Sequence, residues 1–204
     1  MKSSDIANKL YDMERNMIKY KMPTKSNLKG RSSTISNAFA ISITPYITPT
    51  DEEVQASYES LKIEEGQCAY CLGEGIGKDH LKPLVRNGMP TGYITSIENL
   101  VPCCSSCNSA KGSKEFSDWY LREDNIKRLK KKGLDDDKIR ERYKIILSYE
   151  SKIEAPIDYE QLVGKKLWDE YKTRRETFIG KLNEEQAFCD KLNKIIIEKI
   201  TDKK

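Results

Sequence analysis

Five of the six cysteines and the only histidine fall in one window, Cys68 to Gly112: CAYCLGEGIGKDHLKPLVRNGMPTGYITSIENLVPCCSSCNSAKG. Cys68 and Cys71 form one Cys-x-x-Cys pair and Cys104 and Cys107 a second, with 32 residues between the pairs. Each pair puts two thiolates on one tight turn, and two such turns brought together make a tetrahedral all-sulfur site. One structural zinc per chain is expected there, at Zn–S distances near ~2.3 Å. Four sulfurs fill that ion's shell and leave no open position for chemistry. Cys103, beside a ligand, and Cys189, in a C-terminal apolar pattern, read as buried fillers.

Asp79-His80 lies between the pairs, and Asn99 and Asn108 follow. A ribbon that only holds a shape needs neither an Asp-His dipeptide nor an asparagine directly after its last ligand. Taken singly, each has a plainer role: a structural histidine, a turn-capping Asp79, an Asn108 capping the helix after the knuckle.

Asp79-His80, Glu98-Asn99-Leu100-Val101-Pro102 and Cys107-Asn108-Ser109-Ala110-Lys111-Gly112, with Pro83, resemble the signature of HNH endonucleases of the ββα-metal type. The resemblance covers residues 66–118. It implies a two-stranded hairpin followed by a helix, pinned by zinc. Asp79-His80 would lie near the end of the first strand, Tyr93 to Val101 would supply the second, and Ser105 would open the helix with Asn108 facing back to His80. His80 would be the general base, since neutral imidazole suits proton abstraction near pH 7. Asp79 and the Asn108 amide oxygen would hold a hard cation, Mg2+ or Mn2+, and Asn99 would position the loop and ring. Cleavage leaving 5′-phosphate and 3′-hydroxyl ends is the implied reaction. Arg86, Lys111 and Lys114 are candidate nucleic-acid contacts. Many relatives carry a Gly-Gly turn between the histidine and the first asparagine; here Asn87-Gly88 and Thr91-Gly92 supply the turns.

The elements that position this window read as helices. Residues 3–20 repeat Ile6, Leu10, Met13 and Met17 at helical spacing. Pro23 ends that element, and residues 21–34 read as a polar surface loop or a phosphate-contacting arm (Lys21, Lys25, Lys29, Arg31). Residues 35–47 are apolar and expected to be buried, as helix or strand. Thr50-Asp51-Glu52-Glu53 starts a helix carrying Val54, Tyr58 and Leu61. Beyond the window, Phe116, Trp119, Tyr120 and Ile126 line one helix face, which runs into the basic stretch Lys127–Lys132. Asp135–Asp137 starts another helix using Ile139, Tyr143, Ile146 and Leu147. Pro156 interrupts, and Asp158 to Ile200 is again helical, with Gly164 and Gly180 as candidate breaks.

The fold class expected is α+β and mostly helical. Residues 1–62 would be an N-terminal helical region, 63–118 the zinc-stapled module and 119–204 a C-terminal helical region. A net charge of +4 permits a polyanionic partner, but the 33% charged residues are spread along the chain, so any basic surface must be assembled by folding. No apolar run approaches the ~20 residues of a membrane span, and the N-terminus shows no signal-peptide pattern. Both point to a cytoplasmic protein without membrane contact, where paired cysteines bind metal rather than each other. The favoured role is a type II restriction-like enzyme cutting duplex DNA, a possible homodimer through the Asp158–Ile200 helices. The stretches GRSSTISNAFAISITPYI and GYITSIENLVPCC resemble those of HNH proteins placed beside methyltransferases. Homing, phage or repair nucleases, or a non-catalytic zinc-ribbon module, are the alternatives.

Overall fold

A computed structural model describes residues 27–202. The proposed helix over 3–20, Pro23, and Lys21 and Lys25 of the arm lie outside them. A single 3-10 turn at Lys29–Arg31 leads into α1 (Ser32–Ser42), so the polar stretch ending at residue 34 already contains the start of a helix. α2 (Asp51–Leu61) begins at a full capping box: Glu53 N–H donates to Thr50 Oγ1 at 3.2 Å and Thr50 N–H to Glu53 Oε2 at 2.8 Å. Strand β1 (Gly77–His80) follows, then the short strands β2 (Val85–Arg86) and β3 (Met89–Pro90) and strand β4 (Leu100–Cys103). The remaining elements are α3 (Ser105–Lys111), α4 (Phe116–Tyr120), α5 (Glu123–Lys131), α6 (Asp136–Glu150), α7 (Tyr159–Val163) and α8 (Lys165–Thr201). The architecture is thus α+β and mostly helical, as expected. No helix among the described residues is long and apolar enough to cross a membrane.

β1 and β4 pair antiparallel, with Asp79 opposite Val101 and His80 opposite Leu100. The second strand is shorter than the Tyr93–Val101 stretch suggested: Ile97–Asn99 forms a 3-10 turn, and extended pairing starts only at Leu100. β2 and β3 make a separate hairpin closed by Asn87 and Gly88, both at positive φ (52° and 72°). Two left-handed residues in a two-residue loop match the right-handed twist of the strands, and Asn-Gly supplies them at least cost.

One core joins the window to the helices on its C-terminal side. Tyr70, Phe116, Trp119 and Tyr120 are buried together, with Tyr70 edge-on to Trp119 at 5.1 Å and Phe116 5.0 Å from Tyr120. Such aromatic pairs add about 0.5–1.5 kcal/mol each beyond the area they bury. The helix expected through Phe116 and Ile126 is two, broken at Leu121-Arg122 between α4 and α5. Leu147 is exposed on α6, whereas Ile139 and Ile146 are buried.

Arg142 of α6 is 3% exposed and bonds only to backbone. Its Nε and Nη2 donate to Ala69 O at 3.0 and 2.8 Å, and its Nη1 donates to Leu61 O at 2.6 Å. Ala69 sits inside the first Cys-x-x-Cys turn, so this one guanidinium fixes the end of α2 and the knuckle together. Arg142→Ala strips two buried carbonyls of their donor, at ~1–3 kcal/mol each. The expected result is a fall in the urea midpoint worth about 2–4 kcal/mol with unchanged m-value.

Residues 35–47 correct the expectation of burial. Only Ser36 and Ala40 of α1 are buried, while Ile41, Ile43, Tyr46 and Ile47 are exposed. α1 lies on α8 through its small residues and Phe39, whose ring is 5.7 Å from Phe178. α8 itself runs unbroken for 37 residues, so Gly164 marks a break and Gly180 does not. α8 buries no residue fully, and Cys189, expected in a core, is exposed on it.

Candidate functional site

The first knuckle closes because Cys68 N–H donates to Gly73 O at 2.7 Å and Leu72 N–H to Cys68 O at 2.9 Å. Gly75 passes so close that a Cβ there would lie 2.6 Å from the Cys68 backbone, which only glycine permits. The second knuckle runs from β4 into α3, where Cys107 and Asn108 N–H both donate to Cys104 O. The Sγ atoms of Cys68, Cys71, Cys104 and Cys107 all lie within 4.8 Å of one another. Cys71 and Cys104 Sγ are 3.8 Å apart, the edge expected of a sulfur tetrahedron with Zn–S near ~2.3 Å. Hydrogen bonding to Cys107 and Cys68 drives the Cys71 thiol well below its usual range, and Cys107 is driven well above its own. Sulfurs this crowded cannot share protons evenly, and a dication suits them.

Cations from α5 and the residue after it face the sulfurs. Arg128 Nη1 is 3.3 Å from Cys107 Sγ, and Lys132 Nζ is 3.3 Å from Cys104 Sγ. Two positive groups there would offset the formal −2 charge of a tetrathiolate zinc. The basic run Lys127–Lys132 therefore turns two of its charges inward on the four-cysteine cluster. Cys103 is buried, and desolvation pushes its thiol up to about 12, as fits an inert filler.

Asp79 and His80 leave β1 on opposite faces. The Asp79 carboxylate turns inward and is 7% exposed; its Oδ2 accepts from Tyr70 Oη at 2.7 Å and lies 3.3 Å from Lys111 Nζ. Tyr70 is the residue between Ala69 and Cys71, so the cysteine knuckle itself presents a donor to Asp79. Lys111 is fully buried, and its Nζ also donates to His80 O at 2.6 Å. That placement corrects the reading of Lys111 as a phosphate contact: its charge is spent inside, on Asp79 and the His80 backbone.

The His80 ring faces Thr95, with Nε2 3.0 Å from Oγ1. Burial pushes the imidazole below its ordinary pKa; nearby Asp79 opposes that and Lys111 reinforces it. Thr95 was not singled out from sequence, since nothing local marks a threonine 15 residues away as the partner of a histidine. Its own backbone is held by Pro45 O at 3.0 Å and by Ile47 N–H at 2.9 Å, so the exposed α1–α2 connection braces the ring.

Asn99 is 1% exposed and clamps the loop. Its Oδ1 accepts from Lys82 N–H at 2.8 Å, and its Nδ2 donates to Lys82 O at 3.1 Å and Ile94 O at 2.9 Å. Asn108, on the first turn of α3, donates from Nδ2 to Lys78 O at 3.3 Å, which leaves its Oδ1 as an acceptor. Arg86 is paired with Glu115 at 2.6 Å, and Lys82 with the same carboxylate at 3.2 Å. Lys114 is exposed and donates to the Ala110 and Lys111 carbonyls at the end of α3. Neither Arg86 nor Lys114 is thus an uncommitted cation.

No curated protein matches the chain. Among solved structures it is similar to one titled "Crystal structure of the Type II-C Cas9 enzyme from Actinomyces naeslundii", at 13% identity and a TM-score of 0.29, over 76% of this chain and 18% of that one. The chain therefore spans under a fifth of that protein's length, and the similarity is too low to define a shared fold. Residues 68–114 match the family described as HNH endonuclease. The segment that holds the four-cysteine cluster, the β1–β4 hairpin and α3 is an HNH endonuclease domain.

Proposed function

We propose that the chain is a metal-dependent endonuclease that hydrolyses duplex DNA to 5′-phosphate and 3′-hydroxyl ends, in a restriction-type role. The observation that supports this best is His80, an imidazole kept neutral by burial and held by Thr95, on the strand whose opposite face carries the Asp79 carboxylate, fixed by Tyr70 and Lys111. In the tautomer that donates Nε2–H to Thr95 Oγ1, Nδ1 keeps its lone pair and can take a proton from water. Asp79 and the Asn108 amide oxygen would hold Mg2+ or Mn2+, which supplies Lewis acidity at the phosphate and the departing 3′ oxygen. Asn99 acts through the loop, fixing Lys82 and Ile94 on either side of the site. The four-cysteine zinc takes no part in the reaction.

The exposed Phe178, Phe188, Leu192, Ile196 and Ile200 of α8 are the proposed contact between two copies. A twofold dimer puts one active centre on each strand of a palindromic site.

Plasmid DNA incubated with the zinc-loaded protein and Mg2+ should be nicked and linearised, and a chelator of Mg2+ should stop the reaction. Sequencing the cut ends should give 5′-phosphates at a fixed stagger around a repeated sequence. Intact plasmid at every Mg2+ and Mn2+ concentration would leave a zinc module that binds without cutting.

A further inference from the structure

Side chains alternate along β1, so Lys78 shares the His80 face, two residues or about 6.6 Å away. Lys78 is exposed, and its Nζ stands 5.6 Å from the centre of the Tyr58 ring. Among the described residues no carboxylate lies within 4.0 Å of it, in contrast to Lys82 and Arg86. Tyr46, 70% exposed, is bridged in parallel to Thr95, whose hydroxyl meets the His80 ring. Tyr46 and Lys78 both line one groove of about 150 Å³, whose lining also includes Tyr58, Leu100 and Pro102 and holds no carboxylate. The larger cavity nearby, about 230 Å³, sets three carboxylates, Glu53, Glu98 and Glu154, against one cation, Lys152, and so disfavours a phosphate.

A cation without a carboxylate partner and an open tyrosine ring beside a base-like imidazole are what an unstacked nucleotide needs. The ammonium meets a phosphate, and the ring offers a π-face that a base can cover only when it has left the stack. We propose that this groove is a subsite for one nucleotide adjoining the scissile phosphate, with Lys78 on its phosphate and Tyr46 stacked on its unpaired base. The proposal rests on the nuclease reading of His80. It adds that the strand beside the cut is bound unstacked.

The test uses full-length, zinc-loaded His80→Ala protein, which is expected to hold DNA without cutting it, and fluorescence anisotropy on three labelled DNAs: a perfect duplex, the same duplex with one unpaired nucleotide, and a single strand. Tyr46→Ala in that background should weaken binding of the unpaired and single-stranded DNAs roughly 5- to 150-fold, and Tyr46→Phe should restore it. Lys78→Ala should weaken all three and reduce the slope of log affinity against log salt by about 1. Zinc content equal to the parent's verifies that each variant is folded, and Tyr46 and Lys78 are exposed enough to be changed safely. Unchanged affinity and salt slope in both variants overturn the subsite. Equal losses on perfect and unpaired DNA in Tyr46→Ala overturn the stacking. Either result leaves the nuclease standing if wild-type protein cuts plasmid; failure of the wild type to cut removes the nuclease reading itself.

Discussion

His80→Ala should lower DNA cleavage about 10²–10⁴-fold, the usual contribution of a positioned general base, while zinc content and DNA affinity stay at wild-type levels. The pH dependence carries a second signature. Burial depresses the imidazole pKa, so the base is already neutral at pH 7, and the acid limb of kcat/KM should lie below ~6.5. The sign for stability follows the same direction. A group with a lowered folded-state pKa contributes fully above its unfolded value, near ~6.5, and that contribution is lost as pH falls through the folded value. Thr95→Val should pull the two readouts apart, altering the pH profile without removing the base. Cleavage at wild-type rates by His80→Ala would refute the assignment.

Cys71→Ser should cost more than activity. Apparent zinc contributions of about 10–16 kcal/mol are seen in small metal-dependent modules, and such a sum exceeds the stability of most domains. The variant is expected to lose its zinc by elemental analysis, lose cooperative unfolding of residues 68–114 by hydrogen exchange, and show no cleavage at any Mg2+ concentration. Cys189→Ser is the matching control: Cys189 is exposed on α8, and surface changes of that kind stay within about 0.5 kcal/mol. One tightly held zinc per chain in Cys71→Ser would count against the staple.

The features legible in the sequence were those with a short-range rule behind them. Cys-x-x-Cys spacing defines a knuckle, Thr50-x-x-Glu53 a capping box, Asn87-Gly88 a two-residue turn and Pro156 an interruption, each within four residues. What was missed depends on partners far along the chain. Arg142 looks like any charge on an amphipathic helix, yet it bonds carbonyls 73 and 81 residues away. Lys111 looks like a surface lysine closing a motif, yet it is fully buried on Asp79. Thr95 carries no signal at all. The apolar run Ile35–Ile47 misled for another reason: composition reports a wish for burial, whereas burial needs a neighbour. Among the described residues Ile41, Ile43 and Ile47 find too little to cover them.

Tyr70 joins the four-cysteine knuckle to the strand that carries Asp79 and His80. Its backbone belongs to the sulfur knuckle, its carbonyl accepts from Tyr120 Oη at 2.7 Å, and its own hydroxyl reaches Asp79. A newly made copy that has yet to capture zinc would lack the closed knuckle that presents the Tyr70 hydroxyl to Asp79. On the proposed function, such an immature copy stays harmless to the genome of the cell that makes it, with thiol chemistry acting as the safety catch on phosphate chemistry.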